Sequence, residues 1–459
     1  MGHLGIRRIC EFVSCIMVFL PCVLSVVSNM IIKNAVIRLG YWIIAFIIGI
    51  YAVQQSGRLK IAVRQKNWII VWLILLVIIL LNNHGDFQNS DYTSIMNFVM
   101  AVTFALLIVM NDRFDEKYVF TALLFLLFVQ MIAGYYFLVC PNKLLALKGI
   151  LVSSEQVWIN KFIKQVNSGA FMGLVSHYST SGMYMALGTV ITGGFLLAGK
   201  NRTGKFGKFM LVIFGAFFVA LILTQKRAHL VFAIAALFAM YLIGYVGGNL
   251  QKRLKQILAI IVVAIIAFAV AMRIPAFSGT ITRFIESLSS SNLNDVSTGR
   301  VAELWLPAWK EFLSHPLLGI GWRQFKYLHP MSNGVNNDCH NIYLQLLCET
   351  GIIGFAVFMT VMISTYIIGW KALLREKKNP ESTCYYQLMF AFGYQTFFLL
   401  YGLTGNPLYD IQCYFPYFIS CALIYKYAKA SPAYSLARSV SFNSHNSVMK
   451  TKKVVGNEA

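Results

Sequence analysis

The chain has 459 residues, of which 58% are hydrophobic and only 12% are charged. Soluble domains carry roughly 25% charged residues, so this composition excludes a soluble globular protein. Its high apolar content also excludes a largely disordered chain. Lysine and arginine outnumber aspartate and glutamate, which gives a formal net charge of +22. In a membrane protein such an excess reports basic cytoplasmic loops, so we expect no nucleic-acid partner.

Apolar runs of transmembrane length recur along the chain. A bilayer core needs about 20 apolar residues per helix. The runs predict an all-α, polytopic helical bundle with about twelve spans, at residues 10–32, 39–54, 68–82, 95–110, 118–140, 180–198, 209–224, 229–247, 256–272, 342–370, 385–402 and 411–426. The first run follows two arginines but is succeeded by many more runs, so it is interpreted as a retained span and not as a signal peptide.

The distribution of basic residues predicts the orientation of these spans. Most lysines and arginines fall in alternate connecting segments, whereas the intervening loops 82–94 and 403–410 contain none. Because cytoplasmic loops collect positive charge, both termini are expected inside. The expected organisation is transmembrane helices in 1–272, a large periplasmic loop at 273–341, three further spans in 342–430 and a disordered cytoplasmic tail at 431–459.

The long polar segment 273–341 is expected to contain short helices. Ser297 or Thr298 is placed to cap a helix that begins near Gly299. Pro307 is expected to kink that helix, and the step from His315 to Pro316 to end it. One apolar stripe predicts that it lies on the membrane or on the bundle, and its members are Val301, Leu304, Trp305, Trp309 and Phe312. A second short piece is expected at 322–328, after a glycine turn.

The start of the tenth span carries candidate chemistry. Asp338 is predicted to cap this helix, which places His340 in its first turn. The positive end of the helix dipole disfavours imidazolium, so a neutral imidazole would be available as a proton acceptor. Glu349 lies ~13.5 Å further along the axis on the opposite helix face. A carboxyl group at that depth is expected to point into the bundle or a wet cavity.

Four motifs in this order resemble the O-antigen ligase superfamily, which includes O-antigen ligases, bacterial protein O-oligosaccharyltransferases and related polymerases. They are LTQKR at 223–227, STGR at 297–300 followed by two tryptophans, HPLLGIGWRQF at 315–325 and HNIYLQLLCETG at 340–351. The resemblance covers about residues 215–355. It implies transfer of a glycan from an undecaprenyl-diphosphate carrier at the periplasmic face of the bacterial inner membrane.

The resemblance also implies roles for three residues. Arg227 and Arg300 would hold the donor diphosphate, and His340 would serve the acceptor. The side-chain chemistry agrees, because guanidinium groups fork onto phosphate oxygens and a neutral histidine can take a proton from an attacking hydroxyl. The cysteines show no C-x-x-C or Cys/His metal spacing, and no Asp-x-Asp pair is present. We therefore expect a metal-independent inverting transfer without a cofactor.

Structural roles stay open beside these catalytic ones. Arg227 could be an interfacial anchor, and Lys226 is predicted to be one. Arg300 and His340 could serve packing or capping alone. Five further residues are candidates for accessory roles at the site, namely Trp305, Arg323, His329, Asp338 and Glu349.

The acceptor is left open between classes. It could be a serine or threonine hydroxyl of pilin or another protein, a sugar of the lipid A core, or a second repeat unit, as in an O-antigen polymerase. A transporter or flippase is a more distant alternative, since about twelve spans fit it by count alone. Few charges lie inside the predicted spans, and the single large polar segment breaks any symmetry between two halves.

Overall fold

The computed structural model describes residues 3–23, 40, 43, 44, 47, 89–110, 115–152, 156–198, 204–244, 299–332, 334, 336–379, 382 and 384–428. All regular elements in these ranges are helical. They are α1 (His3–Val23), α2 (Asn89–Met110), α3 (Lys117–Val139), α4 (Pro141–Ala146), α5 (Lys148–Leu151), α6 (Gln156–Asn167), α7 (Tyr178–Ala198), α8 (Lys205–Leu223), α9 (Arg227–Gly244), a π-helical turn (Val301–Trp305), α10 (Leu306–Ser314), α11 (Phe325–Leu328), α12 (Ile342–Lys377), α13 (Tyr385–Tyr401) and α14 (Ile411–Tyr427).

The helices are those of a multi-pass membrane protein. In the described ranges, α3, α7, α8, α9 and α12 are long and apolar enough to cross a bilayer. They overlap the predicted spans 118–140, 180–198, 209–224, 229–247 and 342–370. The predicted spans 68–82 and 256–272, most of 39–54 and the tail 431–459 lie outside the described residues. The total of twelve spans and their orientation remain predictions.

The core of the bundle is built on α7, α13 and α14, whose side chains are largely buried. The rings of Phe398 and Tyr417 stack at 4.1 Å, and the Tyr394 hydroxyl donates to the carbonyl oxygen of Cys413 over 2.8 Å. Around this core, α3, α8 and α9 expose large apolar side chains such as Phe125, Val212 and Phe238. Apolar surface of this kind is compatible with lipid contact.

Helix α12 is broken at Gly351, which has φ 62° and ψ −172°. The loop after α10 fills the break. The N–H groups of Ile320 and Gly321 donate to the carbonyl oxygens of Cys348 and Glu349, each over 3.0 Å. The Cβ of any larger residue at Gly351 would collide with the backbone of this loop. The break therefore fixes the loop against the helix.

Two local predictions are corrected at α12. The side chain of Asn341 caps the helix by accepting from the N–H groups of Tyr343 and Leu344, so Asp338 is not the cap. Asp338 instead accepts from the amide nitrogen of Gln345 over 3.2 Å. His340 consequently lies before the cap and not in the first helical turn. Both Asp and Asn are good N-cap residues, and the one nearer the helix takes the role.

The segment that precedes α12 agrees in part with prediction. The π-helical turn passes into α10 close to Pro307, and α10 ends at Ser314, just before the His315–Pro316 step. Its apolar stripe is only partly buried, because Leu304 is enclosed while Trp309 is 45% exposed. The predicted cap residues 297 and 298 lie outside the described ranges.

Candidate active site

A group of basic side chains from separate parts of the chain interacts electrostatically near the start of α12. We define this basic cluster as Lys161, His177, Lys226, Arg227, Arg300 and His340. The charge of Arg300 lowers the pKa of His340, and both are predicted site residues. Arg227 belongs to the cluster through its effect on Lys226, which in turn interacts with Arg300. The fold thus brings Arg300 and His340 together and places both near Lys226, which precedes Arg227 in the chain.

His340 occupies an unusual backbone conformation. Its φ of 57° lies in the left-handed region, which costs a non-glycine residue about 1–3 kcal/mol. Burial, followed by the positive charge of Arg300, lowers the pKa of His340 to about 4. The imidazole is therefore neutral at neutral pH, as predicted. The cause differs from the prediction. Desolvation and the charges of nearby cations keep the imidazole neutral, whereas the prediction attributed its neutrality to the dipole of a helix containing His340.

Arg300 is anchored by the loop between α13 and α14. One Nη1–H group donates to the carbonyl oxygen of Thr404 over 3.2 Å. Burial lowers the pKa of Arg300, yet a guanidinium keeps its charge at any physiological pH. A guanidinium has five N–H donors in a planar fork, so this single bond orients the group and leaves capacity for a bound anion.

Lys226 stands at the tight junction between α8 and α9. The preceding residue, Gln225, has a left-handed φ of 59°, and Lys226 Nζ lies 4.1 Å from the centre of the Tyr178 ring. Burial, together with the charges of Arg300, Lys161 and Arg227, lowers the pKa of Lys226 to about 8. Sequence reasoning predicted an interfacial anchor here. The structure instead places this charge inside the basic cluster.

His177 and Lys161 were not found by sequence reasoning. Both come from the segment between α3 and α7, which has its own small apolar core around Leu144, Phe162 and Met172. Burial and then the charge of Lys226 lower the pKa of His177 to about 3. Neither residue lies in a recognisable motif, and only the tertiary packing brings them to the cluster.

Glu349 holds the glycine-containing loop in place. Its side chain is fully buried and accepts hydrogen bonds from the backbone N–H groups of Arg323 at 2.7 Å and Phe325 at 3.3 Å. The amide of Gln345 donates to it over 3.0 Å, and the hydroxyl of Tyr409 donates as well. The expectation that this carboxyl faces the bundle is confirmed. Its contacts give it a role in positioning the loop.

Arg323 and Asp338 pair beside this carboxyl. Arg323 Nη2 lies 3.8 Å from Asp338 Oδ2, and its guanidinium lies 5.4 Å from the centre of the Tyr409 ring. Arg323 also has a left-handed φ of 61°. Asp410, which sequence reasoning missed, lies in the same region, and desolvation raises its pKa to about 7. Asp338 partly offsets the cations around His340, since its charge raises that pKa.

The remaining predicted accessory residues have separate roles. Trp305 donates from Nε1 to the carbonyl oxygen of Cys339 over 3.1 Å, which fixes the backbone just before His340. His329 pairs with Glu311 at 2.9 Å and contacts the ring of Phe325. The structure therefore connects Trp305 to the segment that carries His340, whereas His329 contacts α10 and α11.

Part of the chain matches known proteins in sequence. Residues 209–359 match the family model described as O-antigen ligase. This region belongs to the O-antigen ligase superfamily. A protein of Pseudomonas aeruginosa named O-antigen ligase is 30% identical over 131 residues, which cover 27% of this chain and 29% of that protein. The aligned stretch is thus less than a third of either protein.

The O-antigen ligase region contains Arg227, Arg300, His340 and Glu349. Lys161 and His177 lie outside it, in the part of the chain that precedes the match. The resemblance recognised from the motifs is confirmed, and the basic cluster joins residues of the O-antigen ligase region to residues that the family match does not reach.

Proposed function

We propose that this chain is a membrane glycosyltransferase that moves a glycan from an undecaprenyl-diphosphate carrier to a hydroxyl acceptor. The observation that carries the proposal is a neutral His340 within electrostatic reach of Arg300. An unprotonated imidazole can take the proton of an attacking hydroxyl, and an adjacent guanidinium can stabilise the charge that develops on a diphosphate leaving group. Membership of the O-antigen ligase superfamily supports the same class of reaction.

In the proposed reaction the imidazole of His340 accepts the proton of the acceptor hydroxyl. The acceptor oxygen forms a bond to the anomeric carbon as the bond from that carbon to the diphosphate oxygen breaks, with inversion at carbon. The electron pair of the broken bond stays on the diphosphate, where Arg300 and Arg227 stabilise the added charge. We propose a metal-independent step because these arginines supply the positive charge.

The site is proposed to face the periplasm of the bacterial inner membrane. The support is the alternation of basic segments, which assigns 223–227 and 273–341 to the side opposite both termini. Lipid-linked donors displayed at that face would reach the cluster from the bilayer, with their headgroup at the level of the connecting loops.

The broken helix α12 bears on the transporter alternative. Interrupted helices in transporters offer free backbone groups to a cargo near the bilayer midplane. Here the carbonyl oxygens of Cys348 and Glu349 accept from the loop at 320–321, and the carbonyl oxygen of Pro316 accepts from the N–H of Ile352. The break therefore binds a segment of the same chain, which favours an enzyme over a transporter.

The acceptor class is tested by deleting the gene and restoring it with wild-type protein or with His340→Asn. Loss of lipopolysaccharide banding identifies a ligase of the lipid A core, and a fall in pilin mass identifies a protein O-oligosaccharyltransferase. Lipopolysaccharide that carries only a single repeat unit identifies a polymerase. The proposal predicts one of these losses, restored by wild type alone. If all three readouts are unchanged by deletion, the proposed function is wrong.

A further inference from the structure

Lys226, His177 and Lys161, here called the Lys226 group, are held by different elements from Arg300. The junction that carries Lys226 is bonded to the segment before α7, since Phe171 N–H donates to the carbonyl oxygen of Leu223 over 3.0 Å. Gln225 Nε2 also donates to the carbonyl oxygen of Ser168 over 3.0 Å. Arg300 is anchored to Thr404 instead. The two halves of the basic cluster are therefore carried by different segments of the chain.

The Lys226 group carries positive charge that no acidic side chain neutralises in the described part of the chain. Every charged group that influences Lys226 lowers its pKa, and all of them are cations. Lys226 is partly buried, and a charged group that loses water is stabilised by an oppositely charged partner. An anion bound here would supply the missing partner and would strengthen the interaction through the low local dielectric.

Hydrogen-bonding capacity accompanies this charge. His177 Nδ1 accepts from the N–H of Ser179 over 3.2 Å, so the neutral ring carries its proton on Nε2 as a donor. His229 is 2% exposed, and both its ring nitrogens lack a hydrogen-bond partner in the described ranges. A Cβ on Gly182 would lie 3.3 Å from His229 Nδ1 and 3.2 Å from Lys226 Cβ. The imidazole of His229 and the side-chain stem of Lys226 thus pack against the same glycine of α7.

We infer that the Lys226 group, in which Lys226 stands on the junction that also carries Arg227, binds one phosphate of the donor diphosphate while Arg300 binds the other. This inference rests on the proposed function and assigns Lys226 as a third cation of the donor site, outside the two arginines. On this assignment a diphosphate contacts both halves of the basic cluster, whereas a monophosphate contacts one of them. The arrangement therefore selects a diphosphate over a monophosphate on the same lipid.

Purified protein in neutral detergent is titrated with undecaprenyl diphosphate and with undecaprenyl monophosphate. Loss of one charged hydrogen-bonding contact weakens binding by about tenfold or more. We expect wild type to prefer the diphosphate by at least about that factor. Lys226→Met should abolish this preference, and Lys226→Arg should retain it. Lys164→Met is the matched control, because Lys164 is exposed on the same helix as Lys161 and lies outside the basic cluster.

The outcomes separate this inference from the proposed function. If wild type binds neither lipid, the proposed donor is wrong. If wild type prefers the diphosphate and Lys226→Met keeps that preference, the donor stands and the inference is overturned. Phosphatidylglycerol is added as a competitor to test a lipid headgroup as the ligand. Displacement of the diphosphate by an equal concentration of phosphatidylglycerol would also overturn the inference.

Discussion

The carboxylate of Glu349 accepts a hydrogen bond from the backbone N–H of Arg323 over 2.7 Å, and Phe325 donates to the same side chain. These hydrogen bonds join the interior of α12 to a loop that lies at least 24 residues earlier in the chain. The loop carries Arg323, the partner of Asp338, so the carboxylate organises the region just before His340.

Replacing Glu349 with Gln is expected to loosen this loop. The new amide group cannot accept from every donor that surrounds the carboxylate, and leaving buried donors unpaired costs about 2–4 kcal/mol. Thermal unfolding in detergent, followed by tryptophan fluorescence, should report it, because the buried Trp322 packs against Tyr409 at 4.6 Å. Glu303→Gln, which alters an exposed contact with Ser332, is the control. Equal melting temperatures for the two variants would contradict the anchoring role.

His340→Asn is expected to remove transfer without unfolding the protein. Asparagine tolerates the left-handed φ of 57°, and loss of a general base costs about 10²–10⁴ in rate. Because the pKa of His340 is about 4, wild-type activity should show no loss from histidine protonation between pH 7 and pH 5. His315→Asn, a loop histidine paired with Glu311, should keep normal turnover. A well-folded, active His340→Asn protein would remove the assignment.

Arg300→Lys is expected to weaken donor binding although the charge is kept. A lysine has no planar fork, so it cannot both donate to the Thr404 carbonyl oxygen and grip a phosphate in two places. The KM for the lipid-linked donor should rise by about 10- to 100-fold, with the KM for the acceptor unchanged. Arg375→Lys is the control, because Arg375 lies in the last turn of α12, at the end away from His340. Full donor affinity in Arg300→Lys would exclude diphosphate binding by this residue.

The alkaline pH dependence should report Lys226. Its pKa of about 8 means that charge is lost as the pH rises above 8, so kcat/KM for the donor should fall to a plateau about tenfold lower. The neighbouring arginines do not titrate in this range. Lys226→Arg should remove the decline up to pH 9.5, and Lys161→Arg tests the other lysine, whose pKa burial also lowers. An unchanged decline in Lys226→Arg would assign it to another group.

Much of the bundle follows from the sequence because a transmembrane helix is a local property. An apolar run of sufficient length must form a helix in lipid wherever it lies in the chain, which is why α3, α7, α8 and α9 match their predicted positions. The motif at 340–351 likewise identified His340 as a candidate site residue. No sequence feature predicted the break at Gly351, since glycine is common in transmembrane helices. The non-helical backbone there is required only by the loop that packs against it.

The basic cluster was predictable only in part for the same reason. Arg227 and Arg300 lie in motifs, but Lys161 and His177 reach the cluster through packing of the segment before α7. Lys226 was ambiguous, because a lysine at a helix end serves equally as an interfacial anchor or as a site residue. The capping error at Asp338 arose because two good capping residues stand three positions apart, and the backbone at His340 decides between them.

Gly351→Ala is expected to separate the loop from α12. Its φ of 62° and ψ of −172° lie in a region that is nearly restricted to glycine, and the added methyl group would meet the Leu317 carbonyl. We expect a loss of at least about 2 kcal/mol of stability and a large fall in transfer. Gly215→Ala is the matched control, because no atom lies within 4 Å of its Cβ position in α8, and alanine favours a helix interior. If Gly351→Ala has the same melting temperature as Gly215→Ala and transfers glycan at the normal rate, the position of the loop does not depend on the break in α12.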